Sequence, residues 1–168
     1  MQKSTAILGS FVFFVLAPGI VMGLVPWWIS HWEMRPPLVG FFGFRIIGAL
    51  LIAVGAPMLL DSFARFAIQG LGTPAPVLPT RHLVVSGFYR YVRNPMYLGG
   101  VAIIFGQGLL FGDVRLFAYG MFVWLASHLF VLGYEEPKLR KTFAHQYSEY
   151  CRNVPRWIPR LKAWKSER

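Results

Sequence analysis

Cysteine is nearly absent. Cys151 stands alone, which excludes an intramolecular disulfide, and no cluster of Cys and His has the spacing of a metal centre. Acidic residues are scarce too, 7 against 17 Lys and Arg, and charged residues of both signs make up only 14% of the chain. With 55% hydrophobic residues and a mean hydropathy of +0.49, this shortage of charge excludes an ordinary water-soluble domain. The closing Trp-Lys-Ser-Glu-Arg holds no prenylation box, so the chain is not expected to be a prenylated substrate itself. The 168 residues leave room for a single domain.

The charge that is present is unevenly placed. Of the 17 basic residues, fourteen are Lys3, four between apolar runs (Arg65, Arg81, Arg90, Arg93) and nine from Lys138 to the end, the remaining three being Arg35, Arg45 and Arg115. A net +10 spread in this way marks one side of a membrane and argues against a nucleic-acid partner.

Four apolar runs carry the expected crossings: residues 5–29, 38–60, 97–111 and 116–134. The first is too long for the apolar stretch of a cleaved signal peptide, which is the competing reading. Pro18 is placed to kink it, and Trp27, Trp28 and Trp32 mark its interfacial end. Arg45, near the start of the second run, reads as a side chain snorkelling to the interface. The third run is short, about 22 Å as a helix, and the turn Gly112-Asp113 folds it against the fourth as a tight hairpin. Gly99, Gly100, Gly106, Gly108 and Gly120 are read as sites of close helix approach.

The expected fold is therefore all-α: a polytopic membrane helical bundle of about four transmembrane helices, with a C-terminal helical hairpin and a cytoplasmic amphipathic C-terminal helix. As one domain it divides into two N-terminal spans (1–62), a cytoplasmic loop (63–96), the hairpin (97–134) and a cytoplasmic tail (135–168). Both termini fall on the cytoplasmic side by the distribution of Lys and Arg. The loop is broken by the prolines of residues 70–79, yet Leu83, Val84, Val85, Phe88, Tyr89 and Tyr91 argue against disorder. In the tail, Leu139, Phe143, Tyr147 and Tyr150 fall at helical spacing, as in a surface-anchored helix.

Two places carry chemistry. Glu135 and Glu136 follow the last run, where acids oppose the helix macrodipole and so call for a partner cation. His128 lies seven residues before Glu135, on the same α-helical face, and His128 or Glu136 is the nearest base in helix phase. The second place is Ser86-Gly-Phe-Tyr-Arg-Tyr-Val-Arg-Asn-Pro-Met-Tyr-Leu-Gly-Gly100. There Asn94 fits an N-cap and Pro95 a first helical position, leaving first-turn N–H groups for an anion that Arg90 and Arg93 would reinforce. An interfacial belt of aromatics and Arg, and a plain solvated helix end, are the functionless alternatives.

This segment, followed one hairpin later by Glu135-Glu136, then Phe143-x3-Tyr147-x2-Tyr150 and Val154-Pro155, resembles the isoprenylcysteine carboxyl methyltransferase and phospholipid methyltransferase superfamily, over about residues 81–159. The resemblance implies an integral membrane methyltransferase using S-adenosyl-L-methionine, with a lipophilic small-molecule or lipidated acceptor met among membrane lipids. It implies cofactor contacts at Arg81, His82, Leu83, Val84, Tyr89, Arg93, Asn94, Pro95, Met96, Tyr97 and Glu135. The acceptor is then an isoprenylcysteine-like carboxylate or a lipid headgroup. Two positions depart from the family pattern: Asn94 stands where a histidine is common, and Val131 stands where carboxyl-methylating members carry an arginine. The competing classes are a nicotinamide-dependent membrane reductase of the sterol-reductase type and a non-catalytic membrane scaffold.

Overall fold

The computed structural model describes residues 16–68 and 83–165. The described residues are helical, without a strand. They form α1 (Leu16–Ser30), α2 (Gly43–Ile68), α3 (Pro95–Phe111), α4 (Arg115–Phe130) and α5 (Glu136–Asn153), with single 3₁₀ turns at Leu38–Gly40 and Gly87–Arg90. Two helices are long and apolar enough to cross a membrane, one within α2 and one beginning with α4, while α1 and α3 are shorter apolar helices.

Glycine sets the tightest contact, between α2 and α3. A Cβ at Gly55 would lie 2.6 Å from the Gly99 carbonyl oxygen, and one at Gly48 would lie 2.6 Å from that of Gly106. The pairs repeat at a spacing of seven, so the two backbones touch along one seam with no side chain between them. Gly99 and Gly106 were anticipated as approach sites; their partners on α2 were not.

α1 is held by the carbonyls that its own irregularity releases. The turn over Gly19–Leu24 is π-helical and Pro26 follows it, so the Met22 carbonyl has no N–H four residues on. Gln107 Nε2 of α3 donates to Met22 O at 2.8 Å, and the Tyr119 hydroxyl of α4 donates to Val21 O at 2.9 Å. Gln107 Oε1 also accepts from Trp32 Nε1 at 3.0 Å, which ties the aromatic end of α1 to the bundle.

The connection from α1 to α2 is pinned to the α3–α4 turn. Gly112 adopts φ 73° there. Asp113 accepts from the Arg115 backbone N–H at 3.0 Å and pairs with the Arg115 and Arg35 guanidiniums at 2.7 and 3.6 Å. These neighbours, the Arg115 hydrogen bond above all, hold the Asp113 carboxyl below its usual range. Arg45 reaches back from α2 to the Arg35 carbonyl at 2.6 Å, as a side chain leaving the apolar layer should.

Three boundaries differ from expectation. α2 begins at Gly43, because Leu38–Gly40 forms a separate turn, and it runs through Asp61 to Ile68, so the loop is shorter than residues 63–96. The helix does not stop at Tyr134. It continues through a π-helical turn over Val131–Glu135 into α5, and that turn stands directly before Pro137, which removes an N–H and crowds the preceding turn. The macrodipole argument for Glu135 and Glu136 therefore fails, as they lie inside a continuous helix. The part of the first apolar run before Leu16 and the proline-rich residues 70–79 lie outside the described residues.

Candidate active site

The segment leading into α3 is fixed by the tail that follows α5. Arg93 N donates to Pro155 O at 2.9 Å, Arg160 N to Tyr91 O at 2.9 Å and Trp164 N to Arg90 O at 3.0 Å, so the two segments lie side by side. Arg90 Nε closes the far end on Trp164 O at 2.7 Å. Asn94 takes the N-cap position and Pro95 the first helical one, as expected, but the Asn94 side chain does not cap. Its amide donates to Arg156 O at 3.2 Å instead.

The buried Tyr89 side chain comes from the turn Gly87–Arg90, and its backbone carbonyl accepts the Tyr150 hydroxyl at 2.7 Å. Burial, reinforced by the negative charge of Glu135, pushes the Tyr89 hydroxyl well above its ordinary pKa, so it remains a proton-bearing donor. Tyr150 in turn belongs to an apolar cluster with Tyr147 and Val154, against which Leu83, Val85, Leu139 and Phe143 pack.

The two glutamates have separate tasks. Glu136, its side chain only 7% exposed, accepts from Arg156 Nε at 2.6 Å and from Arg93 Nη1 at 3.1 Å, with Arg140 at 3.8 Å. Three guanidiniums engage both oxygens, which makes Glu136 a strut between the start of α3, α5 and the tail, and a poor free base. Glu135 meets no cation among the described residues; its Oε2 accepts the Tyr97 hydroxyl at 3.1 Å. Arg93 supplies the complementary deficiency, since its Nε is buried without an acceptor.

Two cavities meet at this point. The first, about 70 Å³, is lined by Leu83, Val84, Tyr89, Arg93, Asn94, Val131, Glu135 and Glu136, and by Leu139, Tyr147 and Tyr150 of α5. The second, about 360 Å³ and strongly apolar, is bounded by α1 (Ala17, Pro18, Val21, Met22), α2 (Leu59, Phe63), α3 (Met96, Tyr97, Gly100) and α4 (Tyr119, Val123, Ser127). Tyr97 lines the apolar chamber while bonding to Glu135 of the polar one, so this pair is the partition between them.

Of the residues singled out from the sequence, Leu83, Val84, Tyr89, Arg93, Asn94, Glu135 and Glu136 share the polar chamber, Met96 and Tyr97 face the apolar one, and Pro95 is buried at the helix start between them. Arg81 and His82 lie outside the described residues. His128 is not brought to Glu135. Its Nδ1 accepts Trp157 Nε1 at 2.9 Å and its ring stacks on Trp124. The π turn at Val131–Glu135 takes up an extra residue, which rotates the two positions off the common face that pure α-helical spacing implies. Arg156 and the α1 lining were not anticipated. The basic tail hid the first among many charges, and the second carries no ionisable group to notice.

Comparison with known proteins now bears on this arrangement. The family model for phospholipid methyltransferase matches residues 44–146, more than half of the chain. The chain belongs to this family. It is 31% identical over 122 residues to a phosphatidylethanolamine N-methyltransferase of Laccaria bicolor, covering 69% of this chain and 13% of that protein. It is 34% identical over 80 residues to protein-S-isoprenylcysteine O-methyltransferase B of Arabidopsis thaliana, covering 46% and 39%. It is 26% identical over 165 residues to methanethiol S-methyltransferase 2 of Bradyrhizobium diazoefficiens, covering 89% and 60%. The chain thus spans only part of each of these relatives. No solved structure matches it. Within this phospholipid methyltransferase family member, the matched residues include α3, α4 and both glutamates, but not the α1 wall of the apolar chamber or Arg156.

Proposed function

We propose that this protein transfers a methyl group from S-adenosylmethionine to an acceptor that reaches it from the bilayer, a lipid or lipidated molecule. The observation that carries the reading is the junction of a polar and an apolar chamber at Tyr97 and Glu135. The polar chamber suits the amino-acid end of the donor. Glu135 lacks a cation and fits its ammonium, while the acceptor-free Arg93 Nε fits its carboxylate. Leu83, Val84 and Tyr89 offer the apolar and aromatic surface that a nucleoside needs. At about 70 Å³ the chamber is smaller than the donor, so its lining has to shift for the donor to enter.

Bound S-adenosylmethionine supplies an already activated sulfonium methyl. What remains for the protein is to align the acceptor and exclude water, and the apolar chamber beside Tyr97 supports both. The names of the relatives support methyl transfer as the reaction class, with phosphatidylethanolamine, isoprenylcysteine and methanethiol as their acceptors. The reading carries a topology with it: four crossings, α1 to α4, both termini cytoplasmic, and the polar chamber at the cytoplasmic face where the basic segments gather.

The test is direct. Purified protein in detergent is titrated with S-adenosylmethionine, its demethylated product and a reduced nicotinamide cofactor, and a membrane lipid extract is then incubated with the labelled methyl donor. Binding of the first two and label in an extractable product are expected. Binding of the nicotinamide compound alone would falsify the reading.

A further inference from the structure

The partition between the chambers is itself a hydrogen bond, and its direction has consequences. Tyr97 presents its hydroxyl at the wall of the apolar chamber and donates its proton to Glu135 Oε2 at 3.1 Å. Every described side chain lining that chamber is uncharged. A carboxylate or phosphate moved into such surroundings loses its hydration and finds no counter-charge on the described lining residues, which leaves it only the donor sulfonium against a loss on the order of several kcal/mol. A neutral group enters without that loss. A neutral nucleophile that bears a proton, however, has to shed it as it takes a methyl group, and Tyr97, bonded through the wall to a carboxylate, offers the route out.

Resting on the methyltransfer reading above, we infer that the acceptor is a neutral, proton-bearing nucleophile, a thiol or an uncharged amine on an apolar body, and that Tyr97 and Glu135 relay its proton. The acceptor lone pair forms the new bond to the methyl carbon as the methyl–sulfonium bond breaks, its electron pair staying with the donor sulfur. The acceptor proton passes to Tyr97 Oη while the Tyr97 proton passes to Glu135 Oε2, so the proton ends in the polar chamber. Tyr97 is a catalytic residue in this account, because it touches the reacting atom. Glu135 receives the proton from the other side, with Tyr89, Arg93, Glu136, Tyr147 and Tyr150 as the titratable and charged groups around the same chamber.

Hexanethiol and hexanoate serve as probes, with wild type and Tyr97→Phe. Wild type should methylate the thiol and leave the carboxylate. In Tyr97→Phe, S-adenosylmethionine affinity by calorimetry should stay within about threefold while thiol turnover falls about 10²-fold, the usual size of a proton-transfer contribution. At saturating S-adenosylmethionine, wild-type thiol turnover should fall in acid as Glu135 protonates and can no longer receive the proton, a limb that Tyr97→Phe lacks. A parallel pH profile in both proteins, or a loss of cofactor affinity equal to the loss of rate, overturns the relay. Methylation of hexanoate but not of hexanethiol overturns the acceptor class. Absence of S-adenosylmethionine binding in wild type instead sinks the methyltransfer reading. Should Tyr97→Phe fail to fold, the wild-type solvent deuterium effect decides: slower thiol turnover in D2O is expected, and equal rates contradict the relay.

Discussion

Tyr97 Oη lies 3.1 Å from Glu135 Oε2, and these two residues belong to different cavities. One side is polar and built by the segment before α3, the π turn and α5; the other is apolar and built by α1 to α4. A donor that is soluble in water and an acceptor that is soluble in lipid can meet only where two such spaces touch.

If the apolar chamber holds the acceptor alone, a bulky residue there acts on the acceptor alone. Val123→Trp fills part of the roughly 360 Å³ from the α4 side. The acceptor KM should rise about tenfold or more, the effect of losing a well-fitted apolar contact of 1–3 kcal/mol. S-adenosylmethionine affinity measured by calorimetry should not change.

Glu136 is expected to act on stability. Its carboxylate is nearly covered and neutralises the likewise covered Arg93, 11% exposed, as well as Arg156. Glu136→Gln leaves buried positive charge uncompensated, which costs about 3 kcal/mol in comparable sites. Detergent-solubilised protein should unfold at clearly lower denaturant or temperature than wild type, with the tail more accessible to protease.

The α2–α3 seam allows a paired control. Gly55→Val places a side chain against the Gly99 backbone, which cannot retreat, and should destabilise by about 1–3 kcal/mol or push the helices apart. Gly19→Ala meets nothing within 4 Å and should be close to neutral. Thermal unfolding of the two variants beside wild type checks both expectations.

Much of this fold was legible because punctuation coincides with structure. Asn94-Pro95 and Gly112-Asp113 bracket α3 as they should, and the glycines of α3 sit where helices touch. The run from α4 into α5 was not legible, because Glu-Glu-Pro reads as an end, whereas the helix passes Pro137 by way of the π turn just before it. Nor was the fate of His128, since one π turn changes helix phase without leaving a mark in hydropathy. Glu135 and Glu136 look equivalent in sequence. Only the arrival of Arg93 and Arg156 from distant segments divides them into a strut and a carboxyl bonded to Tyr97 alone among the described residues.

At the α3–α4 turn, pH should matter in one direction. The Asp113 carboxyl is held below its usual value of 3.8 by its Arg115 and Arg35 partners, so its contribution is complete above that value. As pH falls through the lower folded-state value the carboxyl protonates and the contribution disappears. Asp113→Asn should be less stable than wild type at neutral pH, and the difference should shrink in acid, as followed by unfolding at a series of pH values.

The most direct measurement is calorimetric titration of S-adenosylmethionine into wild type and Glu135→Gln. Glu135 has no described partner but Tyr97, so the variant should keep its fold and unfolding temperature. It should bind the donor about 10- to 100-fold more weakly, the worth of a hydrogen bond to a charged group. Equal affinity in the two proteins would contradict the assignment of the polar chamber to the methyl donor.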